Sequence, residues 1–184
     1  MQSLPDEVTL TIVSYLSLPT LCSLSGTCKR YRLLCCDKEI WFALFARKSL
    51  PKPEAKFSFA SWLQVYQRSL MGKRGAKYVL TLYAKEHRPW LRLINRVPLH
   101  TLQENMWKNI LEPLQKNSTD PTRERYLDLT KRGRDFLCSI EDDDCEPLSC
   151  MVIDRKTVYD ILYRLFYRGI CRIDGHVYQQ FQPD

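Results

Sequence analysis

Apolar residues near the amino end recur at helical intervals. Val8, Ile12, Tyr15 and Leu16 fall at i, i+4, i+7 and i+8 and make one stripe, while Leu10 and Val13 lie toward a second side, so the helix they predict is apolar on more than one face. Pro5 suits its first turn, and Asp6 and Glu7 set negative charge against the positive end of the helix dipole. Pro19 interrupts the run, a short second helix carries Leu21 and Leu24, and Gly26 and Thr27 turn the chain into a third segment with Cys28, Tyr31 and Leu34. Asp37 reads as the N-cap of a helix presenting Trp41, Leu44 and Phe45. Residues 4–45 therefore carry more apolar side chain than a segment of about 40 residues buries among itself. The surplus packs either on the rest of this chain or on a partner.

Downstream the pattern stays mostly helical. After a short break at Pro51, Lys52 and Pro53, the i, i+4, i+8 spacing of Trp62, Tyr66 and Leu70 predicts an aromatic-bearing helix. Pro98 opens another, with Leu99, Leu102, Met106, Ile110 and Leu114 near one face and Pro113 disturbing its end. A polar connection at residues 116–121 leads to a helix with Tyr126, Leu129 and Phe136, and the acidic run from Glu141 to Asp144 reads as a solvated loop. Asp154 caps a helix that turns Val158, Ile161, Leu162 and Leu165 inward and ends at Gly169; strand, tight turn at Asp174 and Gly175, and returning strand follow over residues 170–181. The expected fold is mainly α: N-terminal helices, then a mostly helical domain ending in a helix plus β-hairpin.

Composition changes this picture little. With 184 residues, 45% apolar and 27% charged, the chain has the make-up of an ordinary globular protein, one small module plus a second domain. Its net charge of +7 comes from scattered Lys and Arg, which permits nucleic acid or acidic partners without choosing between them. The uncharged run from Val8 to Cys28 has the length of a membrane span, but Thr9, Thr11, Ser14, Ser17, Thr20, Ser23, Ser25 and Thr27 make it too polar, and Asp6 and Glu7 have the wrong sign for the flank of a secretory signal.

The eight cysteines read as reduced intracellular thiols rather than a disulfide framework, because Cys35 and Cys36 are adjacent. Cys138, Cys145, Cys150, Cys171 and His176 gather as zinc ligands would, but only Cys145 and Cys150 approach the spacing of a ligand pair; no metal and no cofactor is expected. His87, His100 and His176 stand far apart and no nucleophile elbow or phosphate-binding loop is present, so the chain does not read as an enzyme.

Leu4, Pro5, Glu7 and Val8, then Ile12, Tyr15, Leu16, Leu21, Leu24, Ser25, Cys28, Lys29, Tyr31, Leu34, Asp37, Ile40 and Trp41, in this order and spacing, resemble the F-box. Thr9, Val13 and Tyr31 stand where that family usually has Leu, Phe or Leu, and Trp. The resemblance implies a module at residues 3–47 that docks on the Skp-type adaptor of an SCF cullin-RING ubiquitin ligase through Leu4, Pro5, Val8, Ile12, Leu16, Leu21, Leu24, Cys28 and Trp41. It implies that residues 50–184 form a substrate-recruiting domain with a C-terminal helix-hairpin at 154–182, that the chain is a non-catalytic ligase subunit, and that it works in cytoplasm and nucleus. The substrate, and the residues that hold it, stay unassigned. No leucine-rich, WD or kelch period is present, and a box joined to a short unfamiliar domain looks like the compact F-box proteins of some DNA viruses, such as the right-hand genes of atadenoviruses, which redirect a host ligase.

The alternative function is nucleic-acid binding. Gly72, Lys73, Arg74 and Gly75 have the form of the loop with which KH domains clamp a backbone, and helix followed by hairpin is the tail of a winged-helix domain, where Arg155, Lys156, Arg164, Arg168 and Arg172 would face phosphates.

Overall fold

Proline at position 5, with φ −53°, is the N-cap of helix α1 (Asp6–Ser14), and the acidic first turn of that helix follows it directly. Ser17 caps α2 (Leu18–Thr27) by accepting the Thr20 N–H at 3.4 Å. Pro19 thus lies inside the first turn of α2 instead of breaking a helix, since its missing N–H leaves no intrahelical bond unmade there. A turn at Cys28 leads to α3 (Lys29–Leu34), and the Asp37 carboxylate accepts the Glu39 N–H at 2.8 Å to start α4 (Lys38–Arg47), a cap of the kind worth about 1 kcal/mol. Helix α5 (Phe59–Lys85) is the longest, at 27 residues. The computed structural model describes residues 4–53, 58–85, 90–102 and 124–171.

The chain divides into two compact units, Met1–Lys73 and Arg74–Asp184, and α5 begins in the first and ends in the second. In the first unit the core gathers Val13 of α1, Leu21 of α2, Ile40, Trp41, Leu44 and Phe45 of α4, and Trp62 and Tyr66 of α5. Part of the apolar surplus of the first four helices is therefore covered by the chain itself.

The second unit departs from expectation. It is mixed α/β: strands β1 (Trp90–Pro98), β2 (Tyr126–Arg132), β3 (Asp135–Glu141) and β4 (Pro147–Ile153) form an antiparallel sheet in the order β1-β2-β3-β4, and helix α6 (Arg155–Arg168) follows. Tyr126, Leu129 and Phe136, expected in one helix, belong to two paired strands. The deciding pattern has period two: Leu127 and Leu129 point into the core while Asp128 and Thr130 take the other face, and Phe136, Cys138 and Ile140 repeat this on β3. Gly133, at φ +61° between Arg132 and its cross-strand partner Asp135, makes a two-residue hairpin turn that a side chain would strain.

The helix expected from Pro98 is also corrected in part. Pro98 ends β1, and Leu99–Thr101 make a single 3-10 turn. Met106, Ile110 and Leu114, like the connection at 116–121, lie outside the described residues. The acidic run is not a solvated loop throughout: Glu141 and Asp142 are buried, and the Asp142 carboxylate accepts the N–H groups of Asp144 and Glu146, both at 3.0 Å. Arg96, at φ +48° where β1 slips register, stacks on Tyr126 at 4.2 Å and donates to the carbonyls of Asp142 and Asp143. Asp154 caps α6 by accepting the Thr157 N–H at 2.7 Å, and Gly169 ends it, as expected. The hairpin expected over residues 170–181 lies, apart from Ile170 and Cys171, outside the described residues.

Helix α6 turns Val158, Ile161, Leu162, Leu165 and Phe166 onto the sheet beside Ala76, Val79 and Tyr83 of α5. Gly75 is the point of closest approach, because a Cβ there would sit 2.3 Å from Phe166 Cγ.

Candidate docking site

Residues of α1 and its flanks that do not enter the first core leave a row of apolar side chains in solvent. Leu4, Val8, Ile12 and Tyr15 are 56%, 44%, 51% and 76% exposed. The spacing of 4, 8 and 12 keeps them on one side of the helix, while Thr9 and Val13 face inward. Leu33 of α3 is exposed as well. A row of large apolar side chains in solvent is a surface with affinity for another apolar surface.

Two arginines fix the ends of this row. Arg30 donates through Nη2 to the Leu4 carbonyl at 2.7 Å and through Nη2 and Nε to Asp6 Oδ1 at 2.7 and 3.2 Å, which ties the start of α1 to α3. At the other end Arg47 of α4 donates to the carbonyls of Ser14, Leu16 and Tyr15 at 2.9, 3.0 and 3.0 Å. These are carbonyls of the C-terminal end of α1, which has no basic residue in its own last turn. Thr9 Oγ1 also donates to the Pro5 carbonyl at 3.0 Å. The apolar row is thus carried on a helix held at both ends.

The residues singled out from the sequence separate into two groups. Leu4, Pro5, Val8 and Ile12 are exposed along α1; Leu16 and Leu24 are half-buried against the core; Cys28 is exposed at the N-cap of α3. Leu21 and Trp41 are instead fully buried inside the unit. They pack in the core that also takes in Val13 of α1. The Trp41 indole donates to the Cys35 carbonyl at 2.9 Å and stacks on Trp62, whose own indole donates to the Cys36 carbonyl at 3.0 Å. Among the described residues of α1 to α4, Tyr15 and Leu33 are exposed large apolar residues absent from the expected docking set; Tyr15 was legible as the i+7 member of the α1 stripe, while the exposure of Leu33 follows from how α3 packs.

The Cys28 thiol is held below its ordinary pKa, chiefly by the backbone N–H of Tyr31. Cys138 and Cys171 are buried, and loss of hydration pushes both thiols up to about 12. All eight cysteines are free thiols. Among the described residues no three His, Cys, Asp or Glu side chains gather as ligands for a metal, and no helix is long and apolar enough to cross a membrane.

The candidate nucleic-acid elements fare differently from the apolar row of α1. Gly72 to Gly75 is not a loop but part of α5; Lys73 donates to the Lys48 carbonyl, and Gly75 meets Phe166. Helical backbone directs its N–H groups along the helix axis into its own bonds, so this segment cannot clamp a phosphate backbone as a KH loop does. Arg155, Lys156, Arg164 and Arg168 all belong to α6, and Arg172 lies outside the described residues.

Comparison with known proteins bears on the first unit. A family model described as F-box-like matches residues 1–47, and these residues form an F-box-like domain. An F-box/kelch-repeat protein of Arabidopsis thaliana is 35% identical to this chain over 72 residues, which is 36% of this chain and 15% of the plant protein. The chain thus spans a minor part of the length of that relative. No solved structure matches.

Proposed function

We propose that the chain is a non-catalytic substrate-recruiting subunit of an SCF-type ubiquitin ligase, active in cytoplasm and nucleus. Residues 3–47 dock on the Skp-type adaptor, and residues 50–184 hold a target protein for ubiquitination. The observation that carries this reading is the exposed row Leu4, Val8, Ile12 and Tyr15 on a helix of an F-box-like domain. Pro5, Leu16, Leu24 and Cys28 flank that row as further contacts. The viral resemblance gains nothing from the plant relative and is not part of the proposal.

The test is binding of the full chain to a purified Skp-type adaptor. Truncating an interface anchor commonly costs about 1 kcal/mol or more, and about 1.4 kcal/mol is tenfold in affinity. The double variant Leu4→Ala with Ile12→Ala is expected to weaken binding at least tenfold. Its melting temperature should stay near that of the parent, because both side chains are already in solvent. Adaptor binding that is unchanged in this variant, or absent in the parent chain, overturns the proposal.

A further inference from the structure

The part of α5 that belongs to the second unit has a solvent side that is basic and apolar together. Helix α5 carries Arg68, Lys73, Arg74, Lys77 and Lys85 and no acidic residue. Within the second unit its inner side is Ala76, Val79, Leu80 and Tyr83, all in the core. The helical period decides what is left outside. Arg74, Tyr78 and Leu82 fall at i, i+4 and i+8, and Lys77, Thr81 and Lys85 make the neighbouring row at the same spacing; all six are exposed.

Neither the apolar nor the charged members of this face are matched within the chain. Tyr78 is 45% exposed and Leu82 37%, and with Val152 they are the large apolar side chains that the second unit leaves in solvent among the described residues. No acidic side chain pairs with Arg74, Lys77 or Lys85 among the described residues. Helix α6 differs: its solvent side mixes Asp160 with basic residues and exposes no large apolar side chain. A single exposed apolar residue is ordinary. Two of them one turn apart, bracketed by unpaired cations, make a patch that calls for apolar cover and negative charge at once.

That double requirement narrows the occupant. Nucleic acid would satisfy the cations, but it would leave Leu82 uncovered and find one aromatic ring, Tyr78, to stack on. A lipid surface takes up a helix by its broad apolar face, and the apolar face of α5 is already spent in the core. A protein segment with both carboxylates and apolar side chains meets both requirements. Arg74, Tyr78, Thr81 and Lys85 are spaced four, three and four residues apart, the interval of a seam along which a second helix packs, and they run over about 17 Å, three turns.

We infer that this face of α5 docks an acidic amphipathic helix of a protein partner, its apolar side chains on Tyr78 and Leu82 and its carboxylates paired with Arg74, Lys77 and Lys85. Resting on the ligase reading, this partner is the recruited target, and the face selects a target that presents an acidic helix.

The full chain is titrated at physiological salt into a fluorescein-labelled, capped peptide of two repeats of Leu-Glu-Ala-Leu-Glu-Glu-Ala, and binding is followed by anisotropy. The same peptide with Gln for every Glu, the same peptide with Ala for every Leu, a thymidine oligonucleotide of equal charge, and vesicles of phosphatidylcholine and phosphatidylserine are compared with it. The acidic peptide is expected to bind saturably and at least tenfold more tightly than any of the four. Lys77→Gln with Lys85→Gln, and Tyr78→Ser with Leu82→Ser, should each weaken it at least tenfold. Lys38→Gln with Arg134→Gln removes as much positive charge from exposed positions outside α5 and should change the affinity less than threefold. No saturable binding, any of the four ligands within tenfold of the acidic peptide, or an equal loss in the Lys38 and Arg134 variant overturns the proposal. The comparison of ligands needs no variant, so a substitution that fails to fold does not decide it. No adaptor is present in this titration, so its failure leaves docking through α1 standing, and failure of docking leaves this result standing.

Discussion

The indole of Trp41 lies on that of Trp62 with ring centroids 5.6 Å apart and planes 5° from parallel. Tyr66 meets the edge of Trp41 at 6.2 Å and of Phe45 at 5.3 Å, so one face of α5 closes the core of the F-box-like unit with aromatic contacts. Both indole N–H groups find carbonyls in the turn between α3 and α4, so burial leaves neither unpaired.

Removing that lid should unfold the first unit. Trp62→Ala opens a large cavity beside Trp41, and core Trp-to-Ala changes cost about 3–5 kcal/mol. Chemical denaturation followed by tryptophan fluorescence is expected to show the loss, and on the proposed docking reading adaptor binding should fall with it although Trp62 is itself buried. A variant as stable as the parent would show that the stack carries no weight.

Gly75 and Phe166 make a second, more local prediction. With a Cβ at position 75 placed 2.3 Å from Phe166 Cγ, Gly75→Ala forces the ring or α6 to shift. Overpacking of this kind costs about 1–3 kcal/mol, more than alanine returns in helix propensity. Combining it with Phe166→Leu should recover part of the loss, a coupling that a double-mutant cycle on thermal unfolding reads directly.

Glu141 gives a dependence on pH. Its pKa in the folded chain is raised, so folding favours the protonated form. The contribution is fully present below the unfolded value of about 4.3 and is lost as pH rises through the raised folded value. Glu141→Gln is therefore expected to raise the melting temperature at pH 7, with a gain that shrinks toward zero near pH 4. A gain that does not change with pH would assign the effect to packing.

Thiol reactivity should rank the cysteines. Cys28 is exposed with a lowered pKa, whereas Cys138 and Cys171 are buried with values near 12. Iodoacetamide at pH 7.5, followed by peptide mass mapping, is expected to modify Cys28 well before either of the others. Early modification of Cys138 would mean that the sheet opens.

Helix starts and stops were open to reading from the chain alone. The caps at Asp37 and Asp154, the stop at Gly169 and the stripe from Val8 to Leu16 each depend on residues within a turn or two of one another, and so does the spacing that resembles an F-box. What the chain did not disclose was decided by partners far off in sequence. Leu21 and Ile12 are apolar members of neighbouring helices, yet one is buried and the other exposed, because the core that takes in Leu21 is completed by Trp62 and Tyr66 some forty residues on. The strands from Tyr126 to Ile153 escaped because a short apolar run fits either period until a neighbour supplies its hydrogen bonds. The pairing of Arg92 with both Asp128 and Glu141 could not be seen at all without the sheet, since it joins three strands whose order only tertiary packing sets.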